Sequence, residues 1–418
     1  MKYGLIGEHL PHSFSKEIHA RLAPYEYILT ELTPDEVGPF MERADFNAIN
    51  VTIPYKQTVI PYLDHIDEHA KAVGAVNTIV KRDGKLYGYN TDFYGMSVLI
   101  ERIGLSLKDK KVLILGTGGT CLTSIAVSNA MGAREVLIAG RSAKEGVISY
   151  DEVYANHADA EVIINTTPCG MFPYPDGASH IAGCPIDISK FPKLCGTVDA
   201  VYNPLRTNFI LNTEDRGLPC EGGLYMLVAQ AVKACEYFLD TPLEEGILDR
   251  VFDEIRAEKE NIVLTGMPGS GKSTVGLSLA ETLGRPFIDT DTEIKKKCGC
   301  EISEIFEKQG EAGFREIEAE VVREVAMTNG AVIATGGGAI LRDDNVRALR
   351  RNGRLYFLNR ALEALIPTDD RPLASTVEAI KRRFEERYDR YLATCGCEIK
   401  IDENIEHTVS SIRKDFHI

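Results

Sequence analysis

The sequence predicts an α/β fold in two or three compact units, on three observations. Short apolar runs of strand length, such as Lys111-Val112-Leu113-Ile114-Leu115, alternate with amphipathic stretches along the whole chain. The 418 residues exceed one ordinary core, and at roughly 150 residues per domain two or three units follow. Two glycine-rich turns, after the runs that begin at Lys111 and Ile262, each stand between a buried strand and a helix, which opens a separate α/β segment.

The composition narrows the function classes. Hydrophobic residues at 44% and charged residues at 26% are those of a globular protein. A net charge of −15 argues against nucleic acid and anionic membrane surfaces, which call for basic faces. Phosphorylated small molecules stay open as ligands, because their charge is met locally. The apolar runs are too short to span a bilayer, and Met1-Lys2-Tyr3-Gly4-Leu5-Ile6-Gly7 has no signal-peptide pattern, so a cytoplasmic location is expected. The ten cysteines are expected as free thiols. Two pairs, Cys298-Gly299-Cys300 and Cys395-Gly396-Cys397, would supply four thiolates to zinc if they met in space; otherwise they are turn cysteines. No oligomeric state is readable.

The best domain boundary lies in 249–261, a charged helix running into a short polar joint with little Gly or Ser, expected to be stiff. Residues 1–256 and 257–418 are the two expected units. The first divides again: 1–98 holds strands such as Ala48-Ile49-Asn50-Val51-Thr52-Ile53, 99–221 forms a second lobe, and 222–256 reads as long helices returning to the first.

In the second unit, Gly266-Met267-Pro268-Gly269-Ser270-Gly271-Lys272-Ser273 is a complete P-loop pattern behind the strand run Ile262-Val263-Leu264-Thr265 and ahead of a helix from Thr274. Gly269, Ser270, Gly271 and Thr274 belong to the phosphate cradle, where backbone N–H groups and the helix N-terminus meet an anion. Lys272 neutralises the transferring phosphoryl group and Ser273 offers a hydroxyl to Mg²⁺. The next strand ends in Asp289-Thr290-Asp291 beside that loop: one carboxylate for Mg²⁺ and one for a substrate hydroxyl, or a cap for the following helix. Arg315, on a helix, Gly337 in Thr335-Gly336-Gly337-Gly338-Ala339, and Arg387 on a charged helix outline an anion-binding acceptor site, although an arginine like Arg387 is usually solvated. Arg371, in the polar loop Asp370-Arg371-Pro372-Leu373, suits a lid that reaches the phosphates.

These motifs, with Phe314-Arg315-x-x-Glu318 and Arg387-x-x-x-Tyr391, stand in the order seen in shikimate kinases, which the whole of 260–418 resembles. The resemblance implies that Asp291, Arg315, Gly337 and Arg387 bind shikimate, the arginines on its carboxylate and Asp291 on the 3-hydroxyl as base or anchor. Arg371 resembles the family's lid arginine, in a lid that is short here and carries Asp369 and Asp370.

In the first unit, the strand 111–115 enters Gly116-Thr117-Gly118-Gly119, a dinucleotide-binding turn with Cys121 at its third small position. The second strand ends at Gly140-Arg141-Ser142, where an arginine in place of an acid suits the extra phosphate of NADP. The polar groups lie in the first lobe. Ser13 and Ser15 precede a helix and read as caps or ligands, Lys56 follows Pro54 and reads as solvated or catalytic, and Asp92 reads as a cap for a helix from Phe93 or as the partner of Lys56. A Lys–Asp pair suits carbonyl reduction, because the developing alkoxide needs a cation and a proton.

The ordered set Gly4-Leu-Ile-Gly…His12-Ser-x-Ser, Asn50-Val-Thr-Ile-Pro-x-Lys, Gly74-Ala-Val-Asn-Thr-Ile, Gly88-x-Asn-Thr-Asp, Gly116-x-Gly-Gly, Asn165-Thr-Thr-Pro-x-Gly-Met and Gly222-Gly-x-x-Met-Leu-x-x-Gln resembles shikimate dehydrogenases across 3–240. The resemblance implies that Lys56 and Asp92 are the catalytic pair. It puts Ser13, Ser15, Thr52, Asn77 and Gln230 on the substrate, with Tyr202 in the same cleft. Gly116, Gly118, Gly119, Arg141 and Lys144 hold NADP(H), with Gly223 near the nicotinamide. Lys16, Gly140 and Asn208 depart from the family's usual proline, asparagine and proline, and 142–160 is short enough to predict the loss of one element.

Together the two resemblances imply a bifunctional enzyme: NADPH-dependent reduction of 3-dehydroshikimate, then phosphorylation of shikimate with MgATP. A non-catalytic metabolite sensor is the rival reading, and the presence of Lys56, Asp92, Lys272, Ser273, Asp289 and Asp291 speaks against it. Quinate as substrate, or NAD as cofactor, stays open.

Overall fold

The computed structural model describes residues 2–10, 13–172, 183–365, 377–402 and 404–417. It divides into two units, Met1–Ile255 and Arg256–Ile418. The charged stretch at the boundary is helix Ile247–Lys259, and the next strand begins at Asn261.

The first unit holds two six-stranded sheets. The first is ordered Tyr27–Glu31, Tyr3–Gly7, Ala48–Val51, Thr78–Arg82, Lys85–Tyr89, His65–Ile66. Its first three strands are parallel, and Thr78–Arg82 runs antiparallel to both neighbours. Ala48–Val51 is buried at every residue, as a central strand covered on both faces must be. Helix Leu224–Leu239 packs Ala234 and Phe238 against Leu5, Tyr27, Ala48 and Val80 of this sheet. It lies close against helix Thr91–Arg102, because Gly95 has no side chain; a Cβ there would come 2.7 Å from the Met226 carbonyl.

The second sheet is wholly parallel, ordered Cys220–Glu221, Gly196–Asp199, Val162–Asn165, Lys111–Leu115, Glu135–Gly140, Ile148–Ser149. The chain leaves Lys111–Leu115 toward one edge and then returns to its other side, so the crevice at the strand's carboxyl end is a topological switch point. The short stretch 142–160 holds a two-residue strand, Ile148–Ser149, and a seven-residue helix, Tyr150–Asn156, capped by Ser149 accepting from the Glu152 N–H at 3.2 Å. A helix and a strand both stand where the sequence predicted the loss of one element.

The second unit is one five-stranded parallel sheet, ordered Phe287–Asp289, Val332–Ala334, Asn261–Thr265, Gly353–Arg360, Cys397–Ile401. Cys298, Cys300 and Cys395 pack against the core of Val263, Ile294 and Tyr391, whereas Cys397 packs with Ile262, Tyr356 and Phe416. The zinc reading of the two pairs fails on this division. All ten cysteines are free thiols, and among the described residues no cluster of three or more metal-binding side chains occurs. Among them, too, no helix is long and apolar enough to cross a membrane.

Candidate active sites

The first unit contains a cleft of about 380 Å³ lined by Ser13, Ser15, Thr52, Lys56, Asn77, Asp92, Tyr202, Gly223 and Gln230, among others. Within it Lys56 Nζ donates to Asp92 Oδ2 at 2.6 Å. The helix behind it starts at Thr91, earlier than Phe93, and Asn90 caps it by accepting from the Phe93 N–H. Asp92 is thus relieved of capping, is 7% exposed and is aimed at Lys56. The serines are not side-chain caps of the first helix either. Phe14 holds the cap position of Ser15–Leu22, and Ser13 Oγ accepts from the Ser15 N–H at 3.3 Å.

Beneath this pair runs a buried network of neutral groups. Asn77 Nδ2 donates to Gln230 Oε1 and Thr91 Oγ1, both at 3.1 Å, while its Oδ1 accepts from the Thr91 N–H at 2.7 Å. Thr78 Oγ1 donates to Asn77 Oδ1 and accepts from Asn50 Nδ2 at 3.0 Å. Asn50 Oδ1 accepts from the Tyr27 hydroxyl at 2.7 Å. His19 completes the network: its ring stacks on Tyr27 at 3.9 Å, Nδ1 bonds the Tyr25 hydroxyl at 2.6 Å, and Asn50 bonds the ring as well. Burial pulls the His19 pKa down to about 3, so it is neutral in the cleft. Tyr202 rests edge-on against Phe14 at 5.2 Å, and burial raises its phenol above the usual range.

The glycine-rich turn of the second sheet is built to receive a ligand's backbone-bound phosphates. Gly116 has φ +107°, which excludes other residues without strain. A Cβ on Gly118 or Gly119 would meet nothing within 4 Å, so the start of helix Gly119–Ala130 is open. Arg141 and Lys144 are exposed beyond strand Glu135–Gly140, with Lys144 turned back in a bridge to Val147. This donor set fits a dinucleotide with an extra phosphate. Gly223 is required by packing: a Cβ would come 2.2 Å from the Ala200 carbonyl.

In the second unit, helix Lys272–Leu283 begins at Lys272 itself, two residues before Thr274, and its cap Gly271 has φ +91°. Gly266 and Gly269 also take positive φ. Lys272 Nζ donates to the carbonyls of Gly266 and Met267, both at 2.9 Å. Asp289 caps the following helix with one oxygen and meets the phosphate loop with the other. Its Oδ1 caps helix Thr290–Cys298 through the N–H groups of Asp291 and Thr292, and its Oδ2 accepts from Ser273 Oγ at 2.7 Å. Two oxygen donors at that spacing suit a hard divalent cation such as Mg²⁺.

The triple glycine is the meeting point of the acceptor site. A Cβ on Gly336 would stand 2.7 Å from Asp291 Oδ1 and 2.9 Å from Glu318 Oε1; on Gly337, 2.7 Å from the Pro268 ring; on Gly338, 2.4 Å from Arg315 Nη1. Arg315 Nη1 donates to Glu318 Oε2 at 2.7 Å. Glu318 is fully buried, and burial raises its carboxyl above the usual range against the pull of Arg315. Arg387, for which local sequence reasoning offered a solvated helix face as the alternative to ligand binding, is 6% exposed and donates to the Gly337 carbonyl at 3.1 Å, beside the Tyr391 hydroxyl on the same oxygen. Arg371 lies outside the described residues.

Comparison with known proteins settles the family. A shikimate dehydrogenase (NADP(+)) of Clostridium perfringens strain SM101 is 36% identical over 273 residues, spanning 61% of this chain and 98% of the relative. The chain belongs to the shikimate dehydrogenase family. The family model for the shikimate dehydrogenase substrate binding domain matches residues 5–79, and that for shikimate kinase matches 268–415. Shikimate dehydrogenase 1 from Peptoclostridium difficile superposes with TM-score 0.54 at 32% identity, covering 61% of this chain and 98% of that one. A chorismate mutase/shikimate 5-dehydrogenase fusion protein from Clostridium acetobutylicum gives TM-score 0.55 at 32% identity, covering 60% and 96%.

The first unit is thus the dehydrogenase and the second carries a shikimate kinase domain. Sequence reasoning gave no role to His19, and quoted Asn50, Thr91, Gly336, Gly338 and Glu318 within motifs without assigning them one. His19 had a signal: it stands four residues after Ser15, one turn along the same helix face. Glu318 had the equivalent signal, three residues after Arg315.

Proposed function

We propose that this chain reduces 3-dehydroshikimate to shikimate with NADPH and then phosphorylates shikimate at its 3-hydroxyl with MgATP. The observation that carries the reading is the Lys56–Asp92 pair, 2.6 Å apart in a cleft that Ser13, Ser15, Thr52, Asn77 and Gln230 also line. Bound NADPH supplies the hydride for the ketone carbon. As charge develops on the ketone oxygen, the Lys56 ammonium donates to it, and Asp92 holds that ammonium in place and keeps its charge balanced. Ser13, Ser15, Thr52, Asn77 and Gln230 orient the substrate's hydroxyls and carboxylate, and Tyr202 closes one side of the cleft. Arg141 and Lys144 select the extra phosphate of NADP.

In the kinase, bound MgATP supplies the phosphoryl group. Lys272 leaves its loop carbonyls to neutralise charge on the transferring group, and Ser273 and Asp289 would hold Mg²⁺. Arg315 and Arg387 take the shikimate carboxylate over the side-chain-free floor of Gly336, Gly337 and Gly338. Asp291 receives the proton of the 3-hydroxyl. Both cosubstrates are cytoplasmic metabolites and ten free thiols suit a reducing compartment, so the reading places the enzyme there. Small molecules are its only expected partners.

The test mixes pure chain with 3-dehydroshikimate, NADPH and MgATP, following NADPH absorbance and identifying products by mass spectrometry. Loss of NADPH with shikimate 3-phosphate appearing is expected. Shikimate accumulating alone removes the kinase half of the reading. No turnover with either NADPH or NADH leaves the sensor reading in its place.

A further inference from the structure

Strand Gly353–Arg360 runs beside the phosphate-loop strand, with Phe357 paired to Thr265. Its continuation stays against the loop: a Cβ on Gly266 would stand 2.7 Å from the Leu358 carbonyl, and one on Gly271 would stand 3.9 Å from Arg360 Nη1. Arg360 therefore ends its strand at the carboxyl edge of the parallel sheet, with its guanidinium next to the residue that caps the phosphate-binding helix. It is half-buried.

Its charge stands apart from that of comparable arginines in this unit. Arg315 has Glu318, Arg342 has Glu316 and Asp344, Arg354 has Asp415, and Arg390 has Asp343. The neighbouring acid, Glu398, is taken by Asn359 Nδ2 at 2.6 Å. Among the described residues, Arg360 has no ion pair or hydrogen bond, in a chain with 62 acidic residues available to make one. A half-desolvated guanidinium without a counter-anion, beside a loop whose N–H groups converge on phosphate, is matched by an anion arriving in that loop.

We propose that Arg360 is a phosphoryl-donor contact, its guanidinium binding the α- or β-phosphate of the nucleotide that the 266–273 loop cradles. This rests on the kinase reading and adds a residue to it. Gly271 lies where such loops hold the α/β-phosphates, whereas the loop lysine serves the β/γ end. Arg360 would neutralise charge on the leaving diphosphate, and its planar fork would take two oxygens at once.

The experiment titrates the full chain, as wild type, Arg360→Gln, Arg360→Lys and the exposed-site control Arg413→Gln, with MgADP, magnesium tripolyphosphate and shikimate. Arg360→Gln is expected to weaken MgADP and tripolyphosphate alike, by about tenfold to a hundredfold, with shikimate affinity unchanged and Arg413→Gln like wild type. Arg360→Lys should fall between. Unchanged MgADP affinity in Arg360→Gln overturns the proposal, and so does weakened MgADP with unchanged tripolyphosphate, which would mean contact with the base or ribose. Should Arg360→Gln lose shikimate affinity too, Arg360→Lys decides: weakened MgADP with intact shikimate affinity sustains the proposal, and equal loss of both overturns it. Wild-type chain that binds no MgADP removes the kinase reading itself.

Discussion

Lys56 and Lys272 are held in opposite ways. Lys56 gives its proton-bearing nitrogen to a carboxylate, Asp92, at 2.6 Å, whereas Lys272 donates to two carbonyls of its own loop at 2.9 Å. On the proposed reading, Asp92 stays in place while the Lys56 ammonium hands a proton to an alkoxide and regains one. On the same proposed reading, Lys272 exchanges these carbonyl contacts for a phosphoryl oxygen when one arrives. The contrast extends to the surroundings. The ketone site is floored by neutral amides, hydroxyls and an uncharged His19, and the acceptor site of the kinase by arginines and a buried Glu318.

The widest way to break this comparison is to remove each lysine from the full chain. Lys56→Met should lower the rate of ketone reduction by about 10²–10⁴-fold and leave phosphorylation of supplied shikimate unchanged. Lys272→Met should do the reverse, at about 10²–10³-fold. NADPH absorbance and ADP release, measured on the same preparations, read the two rates. A variant that depresses both would mean that the units do not act independently.

The two glycine turns sharpen it on a smaller scale. On Gly338 a methyl group would press on Arg315 at 2.4 Å, and Arg315 is tied to the buried Glu318 and has little room to yield. Gly338→Ala should raise the KM for shikimate by about tenfold, the equivalent of one lost hydrogen bond to a charged group. On Gly118 the same methyl group meets nothing, at an ordinary φ of −88°. Gly118→Ala should leave the unfolding temperature unchanged and weaken NADPH alone. A loss of stability in Gly118→Ala would show that the open turn serves the fold and not the ligand.

The parallel sheets were legible in the sequence because buried parallel strands are continuous apolar runs, and Lys111–Leu115 and Asn261–Thr265 are such runs. The helix starts at Thr91 and Lys272 were each read two residues late, because Asn90 and Gly271 cap without a sequence pattern that distinguishes them from loop residues. Arg387 shows the limit of local reasoning. Its helix is strongly charged, and only the tertiary approach of Gly337 buries it. The neutral network under Asn77 was invisible for the same reason, since Asn50, Thr78 and Thr91 come from separate elements and each reads alone as an ordinary strand or cap residue.

The smallest expected effect tests whether the floor of the dehydrogenase cleft is neutral. His19 has its pKa lowered from 6.5 to about 3 by burial. Well above pH 6.5 neither the folded nor the unfolded chain protonates it, and it adds no pH dependence. Between 6.5 and 3 the unfolded chain binds a proton that the folded chain refuses, so stability is lost as pH falls, approaching ~1.4 kcal/mol per pH unit. From pH 7 to pH 5 the penalty is about 2 kcal/mol. His19→Gln keeps polar atoms there but cannot titrate. The difference in stability between wild type and variant, read from the unfolding transition that coincides with loss of dehydrogenase activity, should therefore shrink by that amount over those two units. Parallel pH curves would mean that His19 accepts a charge in the folded cleft, and the contrast between the neutral floor of the dehydrogenase cleft and the charged floor of the kinase unit would then fail at the residue that most defines it.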